Sequence, residues 1–142
     1  MLIAIPGATM SLFAGNEVFL FSRVSGKLTY KNEPAVNVTL RRIVECGGDK
    51  FEETTSTDEN SYFNFSALTK NDKAILPKEF VSHQKLIAEH QNHEILIWET
   101  VKRSEEKNAE LEGKALNLTC EMTDKTRFVH LMLNSIGTNC TW

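Results

Sequence analysis

No stretch of this chain reaches the ~18 consecutive apolar residues that a membrane-spanning helix needs, so no membrane span is expected. A glycine-rich phosphate loop is missing, and so are G-x-S-x-G and H-E-x-x-H. Phosphate cradling, serine hydrolysis and zinc proteolysis therefore have no motif to start from, and neither an enzyme nor a cofactor is expected. The net charge of −3 is split mildly: six basic and four acidic residues in 1–50, ten and fifteen in 51–142. That balance lacks the basic stripe on which nucleic-acid binding rests, and no nucleic acid is expected as a partner. Three cysteines with no C-x-x-C spacing are too few for a disulfide framework.

What is present fits one domain. The chain has 142 residues, 41% of them apolar and 25% charged, enough for a single hydrophobic core that needs no metal or disulfide to form. Met1 to Phe21 is rich in apolar residues but has no Lys or Arg before Arg23, and Pro6, Gly7, Asn16 and Glu17 interrupt it. A secretory signal would begin with positive charge, so the expectation is the cytoplasm rather than the periplasm, with Met10 as a second candidate start. Residues 1–22 are expected to form a partly flexible N-terminal segment, Met1 to Thr9 being dispensable, ahead of a domain over 23–142.

Short strands punctuated by turns organise that domain. Val24, Leu28 and Tyr30 alternate with Ser25, Lys27 and Thr29, and Val36, Val38 and Leu40 resume the alternation after a turn at Lys31 to Pro34. Phe51 to Ser56 and Tyr62 to Phe65 read as strands on either side of Asp58-Glu59-Asn60-Ser61, and residues 70–79 as a polar loop. Val81 to Val101 is read as a hairpin turning at His90 to His93, because Ile95-Leu96-Ile97-Trp98 favours a strand. Leu116, Leu118, Cys120 and Met122 give a clean strand, Phe128 to Leu133 a last one, and 134–142 a tail. The whole predicts an all-β fold, a single antiparallel β-sandwich.

Three of these segments carry a resemblance. Val24-Ser25-Gly26-Lys27-Leu28-Thr29, Pro34-Ala35-Val36-Asn37-Val38-Thr39-Leu40 and Thr57-Asp58-Glu59-Asn60-Ser61-Tyr62-Phe63-Asn64-Phe65 resemble, in order, the motifs of the transthyretin-like, or carboxypeptidase-regulatory-like, domain. Ser61 stands where that family usually has glycine, and Glu33 and Asn37 where glycines are common. The resemblance implies a Greek-key sandwich. The C-terminal half, with Leu116 to Glu121 and Thr138 to Trp142, is similar to small bacterial proteins of uncharacterised function, a resemblance that supports the fold and supplies no activity.

Candidate sites are few. His83, His90 and His93, with His130 elsewhere, are the one cluster that could ligate a metal, but they are read as exposed histidines beside a turn, and no metal is expected. Cys46 beside Gly47-Gly48 has no neighbouring base in sequence to lower its pKa. Adjacent carboxylates such as Glu52/Glu53 do not make a glycosidase pair, and the N-x-S/T triplets at Asn37, Asn64, Asn117 and Asn139 are read as accidental. Cys120 and Cys140 could bridge a strand to the tail, or pack as two buried thiols. Residues 102–114 hold eight charges in thirteen positions and read as a solvated loop too polar for burial. On that pattern Lys102, Arg103, Glu105, Glu106, Lys107, Glu110 and Glu112 form a candidate interaction loop. The expected function is a non-enzymatic protein-binding module, an accessory or immunity-like partner of another bacterial protein. The alternative is a small-ligand or metal-binding domain using the histidines at 83–93.

Overall fold

The computed structural model describes residues 16–72 and 79–142. The described chain runs through thirteen strands: β1 (Asn16–Phe21), β2 (Val24–Tyr30), β3 (Glu33–Pro34), β4 (Thr39–Cys46), β5 (Asp49–Ser56), β6 (Tyr62–Phe65), β7 (Leu68–Asp72), β8 (Ser82–His90), β9 (His93–Lys102), β10 (Leu116–Glu121), β11 (Arg127–His130), β12 (Ser135–Thr138) and β13 (Cys140–Thr141). One 3-10 turn, Ala109–Leu111, interrupts them. The fold is all-β, with sheets packed face to face.

The larger sheet has six strands in the order β11-β12-β9-β8-β4-β5, all antiparallel. The second runs β13-β10-β2, with β3 and β6 sharing the far edge of β2. Strands β1 and β7 pair as a separate two-stranded antiparallel ribbon. Strand alternation sets the inner faces: Leu40 and Val44 of β4 and Leu86 and Ala88 of β8 meet Val24 and Leu28 of β2, Leu116 and Leu118 of β10, and Phe63 and Phe65 of β6. On β9 the alternation fails, because a bulge inserts Ile97 between the partners of Leu86 and Ile87, and both Ile97 and Trp98 face inward, fully buried.

Among the described residues one pair runs parallel, β2 against β10, from Val24↔Leu116 to Thr29↔Glu121. Gly26 sits in that pair, and a Cβ there would lie 2.3 Å from the Leu118 carbonyl oxygen. Only glycine admits so close an approach. Asn37 and Ser61, where the resembled family favours glycine, both hold left-handed backbone (φ 61° and 66°).

The folded unit starts earlier than residue 23. Val18, Leu20 and Phe21 of β1 are all buried in the core, so the expected N-terminal segment 1–22 contributes a core strand. Leu20 and Phe21 are consecutive, and the bulge near Phe21 explains why no alternation marked them. The dispensability expected of Met1 to Thr9 lies outside the described residues. The loop expected over 70–79 begins as β7, and the tail over 134–142 is two further strands. Cys120 and Cys140, facing each other across β10 and β13, are joined by a disulfide.

Candidate functional site

The histidines of the alternative metal-binding reading do not converge. His90 and His93 face each other at the tip of the β8–β9 hairpin, whose turn residues Gln91 and Asn92 are both left-handed. The His90 ring lies 4.3 Å from that of Tyr30, while His83 is paired with Val101 at the other end of β8. His130 on β11 places Nδ1 2.8 Å from the Ser135 hydroxyl, and both residues are exposed. Among the described residues no carboxylate bonds the imidazole to orient it, as a nucleophilic triad requires. No three His, Cys, Asp or Glu side chains among the described residues converge as metal ligands.

The expected interaction loop divides in two. Arg103, Glu105, Glu106, Lys107 and Glu112 are exposed, but Lys102 and Glu110 are buried, which corrects the expectation that this segment is too polar for burial. The Glu110 carboxylate accepts from the Ser22 backbone N–H and hydroxyl, both at 2.8 Å, and from Gln84 Nε2 at 2.9 Å. Gln84 Nε2 also donates to the Leu20 carbonyl, and Trp98 Nε1 donates to Gln84 Oε1 at 3.1 Å. The Lys102 ammonium donates to the carbonyls of Ser104 and Glu106. Burial lowers its pKa, against Glu110, Glu106 and Glu105, which raise it. A charge is tolerated inside a protein when its hydrogen-bonding capacity is met. Here the partners come from residues as far away as Ser22, out of sight of any local count of charges.

The network anchors a feature that the sequence reading missed. On the outer face of the six-stranded sheet, Glu45, His83 and Val101 form one row across β4, β8 and β9. Ile43, Lys85, Glu99, Gly137 and Phe128 form the next, reaching β12 and β11. The β11–β12 connection, Leu131 to Asn134, walls this floor, and with Arg103 it bounds a groove of about 800 Å³. The Phe128 ring lies across Gly137, 3.1 Å from where a Cβ would stand.

Three large apolar side chains at this wall face solvent: Phe128 is 69% exposed, Met132 88% and Leu133 57%. The wall is nonetheless fixed. Leu131 N–H donates to the Asn134 carbonyl at 2.8 Å, and Met132 N–H to the Glu112 carboxylate at 3.1 Å. Asn134 Nδ2 donates to Thr100 Oγ1 at 3.0 Å and to the Glu110 carbonyl at 3.3 Å. Two residues of the expected loop thus serve the groove: Arg103 lines it and Glu112 holds its wall. The run Leu131-Met132-Leu133 was the available signal, since consecutive apolar residues cannot all face one side of a strand.

A family model described as a domain of unknown function (DUF6795) matches residues 24–125, well over half of the chain. The chain belongs to this family. The DUF6795 span contains the groove floor on β4, β8 and β9, whereas β1 and the wall formed by β11 and β12 lie outside it. No curated protein and no solved structure matches. Among the described residues no helix is long and apolar enough to cross a membrane.

Proposed function

We propose that this protein is a non-catalytic protein-binding module whose docking face is the groove on the outer side of the six-stranded sheet. The observation that carries the reading is the trio Phe128, Met132 and Leu133, exposed together on a hydrogen-bonded wall beside a charged floor. Scattered surface apolar residues are ordinary, but a contiguous cluster rimmed by charge is typical of an interaction site. Because the wall is held in place, little ordering entropy opposes binding. An accessory or immunity-like role beside another bacterial protein is compatible with such a face. The transthyretin-like reading is supported by the packed sheets and by the left-handed backbone at Asn37 and Ser61.

The test is the double substitution Met132→Asp with Leu133→Asp. Both side chains are more than half exposed, so the melting temperature should stay within a few degrees of wild type. Binding to a partner recovered by cross-linking should fall at least about tenfold, as expected when apolar anchors are lost from an interface. Full binding by the folded double variant would remove the groove as the docking face.

A further inference from the structure

We propose that β5 is an open sheet edge that receives an extended, basic segment of another protein as an added strand. This surface is separate from the groove, because β5 ends the six-stranded sheet on the side away from β11 and β12.

Backbone geometry is the first support. Of the strands at the edges of the two larger sheets, β3 and β13 have two residues and β6 and β11 four, whereas β5 has eight. All of β5 pairs with β4 in unbroken register, with no bulge, proline or glycine. The ladder runs on to Thr57, whose N–H donates to the Val38 carbonyl at 2.9 Å. Antiparallel bonding recurs at every second residue. Phe51, Glu53 and Thr55 therefore bond β4, while Lys50, Glu52 and Thr54 point their N–H and C=O groups away from it. Among the described residues no other strand or loop backbone bonds that outward row. Exposed edges are ordinarily blunted by shortness, bulges, proline or charge, and this one is guarded by charge alone.

The sign of that charge names the partner. On the outer face Lys50 stands opposite Glu45 and offsets it. Arg41, by contrast, binds Glu52, Glu89 and Glu94 at 3.3, 2.7 and 2.6 Å. Three carboxylates share one cation, and each is at least 41% exposed. The other carboxylates of β5 are paired singly, Asp49 with Lys70 and Glu53 with Arg42. A strand added beside β5 would place alternate side chains over this negative excess, so lysine or arginine at every second position complements it. In such strand addition the main chain supplies affinity and the alternate side chains specificity. Two β5 edges brought together would set the same excess against itself, which disfavours a second copy.

Amide exchange of the full chain, read residue by residue by NMR, tests the proposal. The probe is a blocked peptide as long as β5 that alternates lysine with threonine; its control has glutamate for lysine. In the free chain the amides of Lys50, Glu52 and Thr54 should exchange freely and those of Phe51, Glu53 and Thr55 slowly. Saturating lysine peptide should slow the first set at least about tenfold, and the glutamate peptide should bind at least about tenfold more weakly. Thr54→Pro removes an outward N–H, which an edge strand tolerates, and should abolish the slowing. Glu52→Lys leaves Arg41 two carboxylates and should weaken the lysine peptide while the melting temperature holds, which keeps the test independent of the proline.

Outward amides already protected in the dilute free chain would mean a closed edge and overturn the proposal. So would a lysine peptide that slows none of them, or a glutamate peptide that slows them equally. Protection that grows with the concentration of the chain itself, without peptide, would make a second copy the occupant and overturn the basic segment.

Discussion

The guanidinium of Arg42 lies between the rings of Phe21 and Phe65, 5.1 and 4.9 Å from their centroids, and its side chain is fully buried. Nε and Nη2 pair with Glu53, which is itself 44% exposed, while Nη1 finds no hydrogen-bond partner among the described residues. Burial lowers the pKa of this group, against Glu53 and Glu110, which raise it. A buried cation with one unmet donor contributes less than an apolar side chain of similar volume. Arg42→Met should therefore leave stability equal or higher in urea unfolding, because water still solvates the exposed Glu53. Glu53→Ala should lower it by about 1–3 kcal/mol, by leaving the buried charge unpaired. The opposite ranking would show that the cation–ring stacking dominates.

Glu121 presents a contrary environment. Its carboxylate accepts from the backbone and hydroxyl of Thr123, the hydroxyl of Thr29, and the N–H groups of Lys31 and Asn32. Burial acts to raise its pKa, but the bonds from Thr123, Thr29 and Asn32 outweigh it and hold the group at about 2, below the usual 4.5. A folded-state pKa below the unfolded one gives stability that is complete above the unfolded value and is lost as pH falls toward the folded value. The stability difference between wild type and Glu121→Gln should therefore shrink from pH 5 to pH 2. Urea titrations across that range would show it. A constant difference would mean that the carboxylate and the amide are held equally well.

Among the elements, the β10–β13 pair is held by the Cys120–Cys140 disulfide across 20 residues of sequence. Replacing both cysteines with alanine should cost about 3 kcal/mol in the chain-entropy description. Reduced wild type should unfold at the denaturant concentration of the double variant, and unchanged stability would mean that pairing alone holds the strand. Elements with clean alternation were legible in the sequence: β2, β6 and β10 have a period of two residues, while the β8–β9 hairpin was legible from its β-branched and aromatic run Ile95 to Trp98. Bulges hid β1 and the facing of β9, since one inserted residue reverses the facing of everything after it. The groove was harder to foresee, because its floor comes from strands whose outward residues look like ordinary solvated positions. Only the packing order of five strands brings them together.

Across the whole molecule, β1 ties the smaller ribbon to the core. Ser82 Oγ and Gln84 Nε2 both donate to the Leu20 carbonyl, at 2.7 and 3.1 Å. Removing residues 1–22 would strip Val18, Leu20 and Phe21 from the core, at about 1.5–3 kcal/mol for each side chain. The sum is comparable to the ~5–15 kcal/mol that typically holds a domain together. It also leaves Glu110 without the Ser22 donors. The truncated chain should lack a cooperative urea transition and bind a dye that reports exposed apolar surface. A sharp transition with near-wild-type midpoint would return β1 to the periphery.

The parallel pairing of β2 with β10 has a consequence for synthesis. During translation β2 emerges early, while its neighbour emerges 92 residues later, the separation of Ser25 from its hydrogen-bonded partner Asn117. Local hairpins such as β4–β5 and β8–β9 can close as soon as they leave the ribosome, but one flank of β2 stays open until β10 has been made. Contacts this distant slow folding, because the loop between them must be ordered first. A ribosome stalled before Leu116 would thus display an unsatisfied strand edge, the surface on which neighbouring nascent chains pair.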